Sequence, residues 1–339
     1  MTVKQFFRRA LLAYFGVMIC VPMAAASEVN IYSHRQQFLL DPFLSAFTQK
    51  TGIKTNVVFA AKGLAQRLAA EGPASPADLV LTVDIARLSE YAELGLFQPV
   101  RSDILETNIP AHLRASDHIW FGLSRRTRLI VAHKDRVADG EITTIEELAD
   151  PKWAGRICTR KGSHVYNRAL LASLIAHHGA EEAEKWAEGL VANLARRPQG
   201  NDRAQAKAIF AGECDVAIMN HYYYGKMVNN EEEPEQKEWA SVLRVILPNQ
   251  DDRGAHMNIS GGGVAKYAPN RANAIALLEF LTSPEAQQLY TEINYEYPVI
   301  SDDAPALGDL ATLKADDLPI EKLAEHAAEA QMIINRVGW

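Results

Sequence analysis

The run from residue 29 to residue 94 reads VNIYSHRQQFLLDPFLSAFTQKTGIKTNVVFAAKGLAQRLAAEGPASPADLVLTVDIARLSEYAEL. Strand-like and helix-like segments alternate along it. Val29, Ile31 and Tyr32 form a first strand signal. Residues 41–50 predict an amphipathic helix, with Phe43, Leu44 and Phe47 on one face and Gly52 as its stop. Val57, Val58 and Phe59 predict a second strand, and residues 64–70 a helix ending at Gly72. Residues 77–83 are a nearly continuous apolar strand, and residues 85–94 a helix closed by Gly95. Strands alternating with helices argue for parallel sheets with covered faces, an α/β fold.

The pattern continues downstream. Residues 129–132, 156–159, 215–220 and 242–247 read as strands, as does the run that opens at Gly261-Gly262-Gly263. Helices are predicted over 167–178, 180–194, 202–211, 272–281 and 284–293, with a last helical run before Trp339. Thr144 followed by Glu147 is a capping-box signature for a short helix. No repeat, low-complexity stretch or long linker is present. Two lobes would therefore be joined by short crossings, near 124–128 and 247–257.

The first 26 residues have the form of a cleaved export signal. Lys4, Arg8 and Arg9 precede an uncharged apolar run over residues 10–23, and Ala24-Ala25-Ala26 supplies small residues. Cys20 raises a lipid-anchor alternative, but Ile19 before it is not the small residue such a site prefers. Removal of three positive charges takes the net charge from −7 to about −10. An acidic chain argues against nucleic acid as a partner. No later apolar run is long enough to span a bilayer. Cys158 and Cys214 remain after cleavage. An oxidising compartment permits a bridge between them; two buried, reduced thiols fit the sequence equally.

The most unusual segment is Asn220-His221-Tyr222-Tyr223-Tyr224-Gly225-Lys226. It follows a strand, at the end where open α/β sheets place their ligands. Adjacent strand residues point to opposite faces, so neighbouring tyrosines converge only where the backbone turns. A strand-to-helix junction supplies that turn, together with helix N–H groups that favour anions such as phenolate. Phenolate is a hard ligand suited to Fe³⁺. Ionising one phenol of pKa about 10 at pH 7 costs roughly 4 kcal/mol, and three cost roughly 12. Only a strong Lewis acid returns that. Lys226 would lower a phenol pKa by proximity. From this segment alone, stacking on a sugar or organic cation and a partly buried core role stand beside iron.

The wider sequence resembles the ferric-binding substrate-binding proteins of bacterial ABC importers. The resemblance runs in order through residues 29–40 (VNIYSHRQQFLL), 77–85 (ADLVLTVDI), 120–123 (WFGL), 155–167 (GRICTRKGSHVYN), 192–202 (ANLARRPQGND), 220–227 (NHYYYGKM) and 258–261 (NISG). It implies the class II periplasmic binding-protein fold, two α/β lobes joined by short crossing strands with the ligand cleft between them. The expected lobes are 27–125 with 255–305, and 126–254 with 306–339. The second carries the tyrosines.

The resemblance further implies metal ligation by Tyr166, Tyr222 and Tyr223, with Tyr224 as a neighbour. Gln36 and Gln37 stand where other branches of the family carry His or Tyr, and both are poor Fe³⁺ ligands. The remaining coordination would fall to an exogenous anion such as carbonate. Arg35 is the expected anion partner, a planar fork of donors, with a surface or hinge salt bridge as its alternative. Arg126 is a second candidate. His34, Gln36 and Lys226 are expected around the ligands rather than on the metal. His221 and the His177-His178 pair are read as structural. The expected protein is a monomeric periplasmic receptor that delivers Fe³⁺ to an inner-membrane permease and its ATPase, not an enzyme. A same-fold receptor for thiamine, a polyamine or sulfate is the alternative.

Overall fold

A computed structural model describes residues 27–302 and 304–339. The signal-peptide expectation for residues 1–26 lies outside them. The first elements are β1 (Glu28–Ser33), α1 (Asp41–Thr51), β2 (Lys54–Phe59), α2 (Leu64–Glu71), β3 (Leu79–Thr82), α3 (Ile85–Glu93) and α4 (Asp103–Asn108). Helix α1 buries Phe43, Leu44 and Phe47, and Gly52 at φ 74° ends it. That left-handed residue is the stop that the sequence signals.

A long strand, β4 (Phe121–His133), follows. After it come β5 (Ile157–Cys158), α5 (Val165–His178), α6 (Ala180–Ala192), α7 (Asp202–Phe210), β6 (Val216–Asn220), α8 (His221–Val228), α9 (Glu235–Ser241) and β7 (Leu243–Ile246). The chain closes with β8 (Met257–Val264), α10 (Arg271–Leu281), α11 (Pro284–Asn294), α12 (Glu321–Glu325) and α13 (Ala327–Val337). Thr144 and Glu147 exchange hydrogen bonds as a capping box does, 3.0 Å from Thr144 N–H and 3.4 Å from Glu147 N–H. They cap a single 3₁₀ turn rather than an α-helix.

The strand order is β2-β1-β3-β8-β4-β6-β5, with β7 also on β4. Strands β1, β2 and β3 are parallel, as are β5 and β6. Every pair involving β4 or β8 is antiparallel, so the sheet is mixed rather than purely parallel. Strand β4 changes partner midway. Its Phe121–Thr127 half pairs with β8, and its Arg128–His133 half pairs with β6 and β7. The crossing expected near 124–128 is thus one continuous strand. Three consecutive glycines of β8 let β3 and β4 close on it from both sides. A Cβ at Gly261 would lie 2.6 Å from the Phe121 carbonyl oxygen, and one at Gly262 2.8 Å from that of Val80.

Side-chain alternation in the second half of the sheet is strict. Ile130, Ala132, Val216 and Ile218 face one buried cluster, which also holds Trp153, Leu171 and Ile334. Leu129, Val131, Ala217 and Met219 face another, with Ile209 and Met227. Period-2 alternation with both faces covered is the mark of a sheet between helix layers. A separate cluster, including Ile31, Phe43, Leu79, Phe121 and Leu278, fills the first half, and Ile320 and Leu323 pack into it.

Cys158 on β5 and Cys214 just before β6 are joined by a disulfide, Cα atoms 5.9 Å apart and 56 residues apart in sequence. Closing a loop of that length is worth about 4 kcal/mol in the chain-entropy account. Among the described residues no helix is long and apolar enough to cross a membrane.

Burial holds the imidazoles of His221 and His256 near pKa 3. An unfolded chain protonates them near 6.5. Between those values the unfolded state binds more protons, so stability falls as pH falls, by up to about 1.4 kcal/mol per pH unit for each histidine. We expect the melting temperature to drop steadily from pH 6.5 to 4 and His256→Gln to flatten that slope. An unchanged slope would remove His256 from the account.

Candidate metal centre

Three helix N-termini point into one cleft. Tyr166 lies in the first turn of α5, where the His164 side chain accepts a hydrogen bond from its N–H at 3.3 Å. Tyr222 and Tyr223 lie in the first turn of α8, directly after β6. Asn201 caps α7, whose second residue is Arg203. The cleft has a volume of about 290 Å³, at the lower end for small-molecule sites. Tyr166, Tyr222, Tyr223, Lys226, Arg203 and Asn201 line one side, and His34, Arg35, Gln36, Phe38 and Val83 the other, with Arg126 and Glu296 at the back.

The tyrosines converge. Tyr222 donates its hydroxyl proton to the Tyr166 hydroxyl at 3.0 Å, and the Tyr222 and Tyr223 rings lie 4.6 Å apart between centroids. An octahedral oxygen site with metal–oxygen distances of about 2.1 Å has neighbouring oxygens about 3.0 Å apart. The Tyr166 and Tyr222 oxygens therefore already stand at the edge length of such a site. Among the described residues no three His, Cys, Asp or Glu side chains gather to hold a metal. A hard cation in this cleft would rest on phenolic oxygens.

Each ring lies beneath a guanidinium. Arg160 is 5.2 Å from the Tyr166 ring centroid, Arg126 5.5 Å from that of Tyr222, and Arg203 5.3 Å from that of Tyr223. Positive charge at a ring face favours the ionised phenol. Burial acts the other way and is larger. It lifts Tyr222 well above its ordinary pKa, with Tyr166 and Tyr223 adding to it and Arg126 opposing. Burial, Tyr166 and Asp202 push Tyr223 up to about 12, against Arg160 and the Tyr222 hydroxyl. At neutral pH these two phenols therefore keep their protons. Burial also brings Lys226 down to about 8.

The remaining expected residues sort by contact. Arg35 Nη2 donates to both carboxylate oxygens of Glu296, at 2.9 and 2.8 Å, and Arg126 Nη2 to Oε1 at 3.2 Å. Ser124 and Ser260 complete that buried knot. Arg35 thus makes its hinge salt bridge, while Arg35 Nη1 and Arg126 Nε are buried without a partner among the described residues. His34 Nε2 lies 3.0 Å from the Tyr91 hydroxyl, and burial lowers its pKa to about 4. Tyr224 packs into the apolar cluster behind the cleft, and Gln37 lines a different groove. His221 stacks on Tyr297 at 4.6 Å and accepts from Thr127 N–H at 3.3 Å. His177 and His178 bond Asp316 and Glu146.

Sequence reasoning missed Glu296 and Arg203. Arg203 directly follows the ANLARRPQGND segment, so its place beside a helix start was a usable signal. Glu296 follows Tyr295, which holds φ 57° at the end of α11. The Tyr295 ring packs where a Cβ on residue 225 would sit, 2.7 Å from its Cδ1. That contact accounts for the glycine after the tyrosine run.

The sequence matches the family described as "Bacterial extracellular solute-binding protein" across residues 32–288. It is 45% identical over 316 residues to "Iron uptake protein A1" of Synechocystis sp., covering 92% of this chain and 87% of that protein. A Trichodesmium protein solved in complex with iron and citrate ligands superposes with a TM-score of 0.87 at 42% identity, covering 92% of this chain and 100% of that one. Mannheimia haemolytica ferric iron-binding protein A, in an open conformation, gives 0.84 at 45% identity, covering 92% and 99%. The two-lobed α/β fold expected from the sequence is the fold of these structures.

Glu296 is the counter-charge to two buried guanidiniums. Burial alone would raise its pKa, but Arg126 and Arg35 hold it near 2. Glu296→Ala should cost about 3–5 kcal/mol in urea unfolding, and Glu296→Gln less. A loss below 1 kcal/mol in the alanine variant would show that the knot contributes little.

Proposed function

The chain belongs to the bacterial extracellular solute-binding protein family, and from that membership we propose that it is a periplasmic receptor that captures Fe³⁺ through Tyr166, Tyr222 and Tyr223. The observation that carries this reading is the convergence of these tyrosines at the N-termini of α5 and α8, with two oxygens 3.0 Å apart. Similarity to a Synechocystis iron uptake protein and to ferric-binding structures supports it. Three phenolates would neutralise a trivalent ion in a buried site, which a neutral or singly charged organic ligand would not require. The loss of three protons offsets the charge of the arriving metal.

An exogenous anion such as carbonate would complete the coordination. The unpartnered Arg35 Nη1 and Arg126 Nε support an anion position beside the tyrosines. Of the first-lobe side chains that line the cleft, His34 is tied to Tyr91, Gln36 offers an amide, and the Glu296 carboxylate is taken up by Arg35 and Arg126. In this reading the lobes, 27–125 with 255–305 and 126–254 with 306–339, close over the metal. The receptor, a monomer, then delivers its cargo to an inner-membrane permease driven by an ATPase. The role is binding rather than catalysis.

Metal analysis and an absorption spectrum of protein loaded with ferric salt test the reading. A visible phenolate-to-iron band is expected, and it should fade on acidification because protons compete for phenolate. Tyr222→Phe and Tyr223→Phe should weaken iron binding strongly and Tyr224→Phe far less. A colourless ferric complex, equal mild effects at all three, or a large thermal shift with thiamine, a polyamine or sulfate but none with ferric salt would reject it.

A further inference from the structure

Tyr222 is held by a chain of hydrogen bonds whose direction is fixed. Arg128 Nη1 donates to Asp202 at 2.8 Å and to the Asn220 side-chain carbonyl at 2.9 Å. The Asn220 amide nitrogen then faces the Tyr222 oxygen at 2.9 Å. Arg128, Asp202 and Asn220 are 2%, 0% and 1% exposed, so water does not reach them to rearrange the chain. Turning the amide over would set N–H against N–H in a buried site. A guanidinium cannot accept a hydrogen bond, so Arg128 dictates which way Asn220 points.

The consequence falls on Tyr222. Its oxygen accepts from Asn220, so its own proton goes to Tyr166 at 3.0 Å. We infer that Asn220 is a positioning residue for metal capture: it presents Tyr222 with a donor, so that the ionised oxygen keeps that hydrogen bond while the metal takes the place of the proton shared with Tyr166. A hydrogen bond to a charged acceptor is stronger than one to a neutral acceptor, so Asn220 favours the metal-bound state over the protonated one. Arg128 Nη2 also donates to the Asn167 carbonyl at 2.6 Å, next to Tyr166. One guanidinium thereby orients the surroundings of both oxygens. This inference rests on the ferric reading of the site.

The test is an isosteric reversal. Asn220→Asp keeps the shape and the Arg128 contact but turns an acceptor toward Tyr222. It should unfold at a temperature equal to or above that of the wild type, yet hold Fe³⁺ roughly ten- to hundredfold more weakly in competition with a ferric chelator. Asn220→Ala, which removes the donor without adding an acceptor, should lose less affinity and move the visible band to longer wavelength. A neutron crystal structure of metal-free Asn220→Asp should show the Tyr222 proton turned from Tyr166 to the new carboxylate, with Tyr166 then donating to Tyr222. Asn220→Asp binding iron like the wild type, or an affinity loss that tracks lost stability in both variants, would overturn the inference. If the wild type takes no Fe³⁺, the ferric reading fails. The neutron structure then decides alone, and a Tyr222 proton still directed at Tyr166 in Asn220→Asp overturns the positioning role.

Discussion

Asp202 carries a charge with no access to water, and a buried carboxylate persists only where it is paired and hydrogen-bonded. Arg128 of β4 and Arg160 after β5 meet it at 2.8 and 3.0 Å, and the Asn220 N–H of β6 at 2.9 Å. A single side chain at the start of α7 thus binds β4 to the two segments that deliver the tyrosines. The disulfide between Cys158 at the end of β5 and Cys214 before β6 ties the two tyrosine-bearing segments to each other. Position in the cleft is therefore set by buried ion pairing together with a covalent link.

The electrostatics of the site are a balance between burial and arginine. Burial raises the pKa values of Tyr222 and Tyr223, and the nearby Arg126 and Arg160 guanidiniums lower the cost of ionising them. On the ferric reading, Tyr222 and Tyr223 stay neutral in the empty cleft and would turn anionic only against a strong Lewis acid. Such a site would discriminate by charge before size: a weak cation does not return the roughly 4 kcal/mol per phenol.

Much of this was legible in local sequence. The early strand and helix pattern, the Gly52 stop and the tyrosines at a strand-to-helix junction all depend on neighbours within a few residues. What escaped depends on distant partners. Glu296 meets Arg35 across 261 residues and Arg126 across 170, and no periodicity marks such a pair. The amide of Asn220 is set by Arg128, 92 residues away. Strand β4 was legible only over 129–132 because the stretch before it carries Ser124, Arg125, Arg126, Thr127 and Arg128, all buried. Burial of so polar a run makes sense only once its distant partners are seen: Glu296 for Ser124 and Arg126, Asp302 and two carbonyls for Arg125, the His256 carbonyl for Thr127, and Asp202 and Asn220 for Arg128.

The partner exchange within β4 has a mechanical meaning. Up to Thr127 the strand is laddered to β8, and from Arg128 it is laddered to β6. A twist of the backbone between those two residues leaves both ladders whole. On the ferric reading, lobes closing about that seam would move as stiff plates, with no rung of either sheet to break and remake. All three aromatic donors would ride on the same plate, so such a swing alone would sever none of their bonds to a captive ion. Unlocking the cargo would then fall to protons or to a rival chelator on the receiving side.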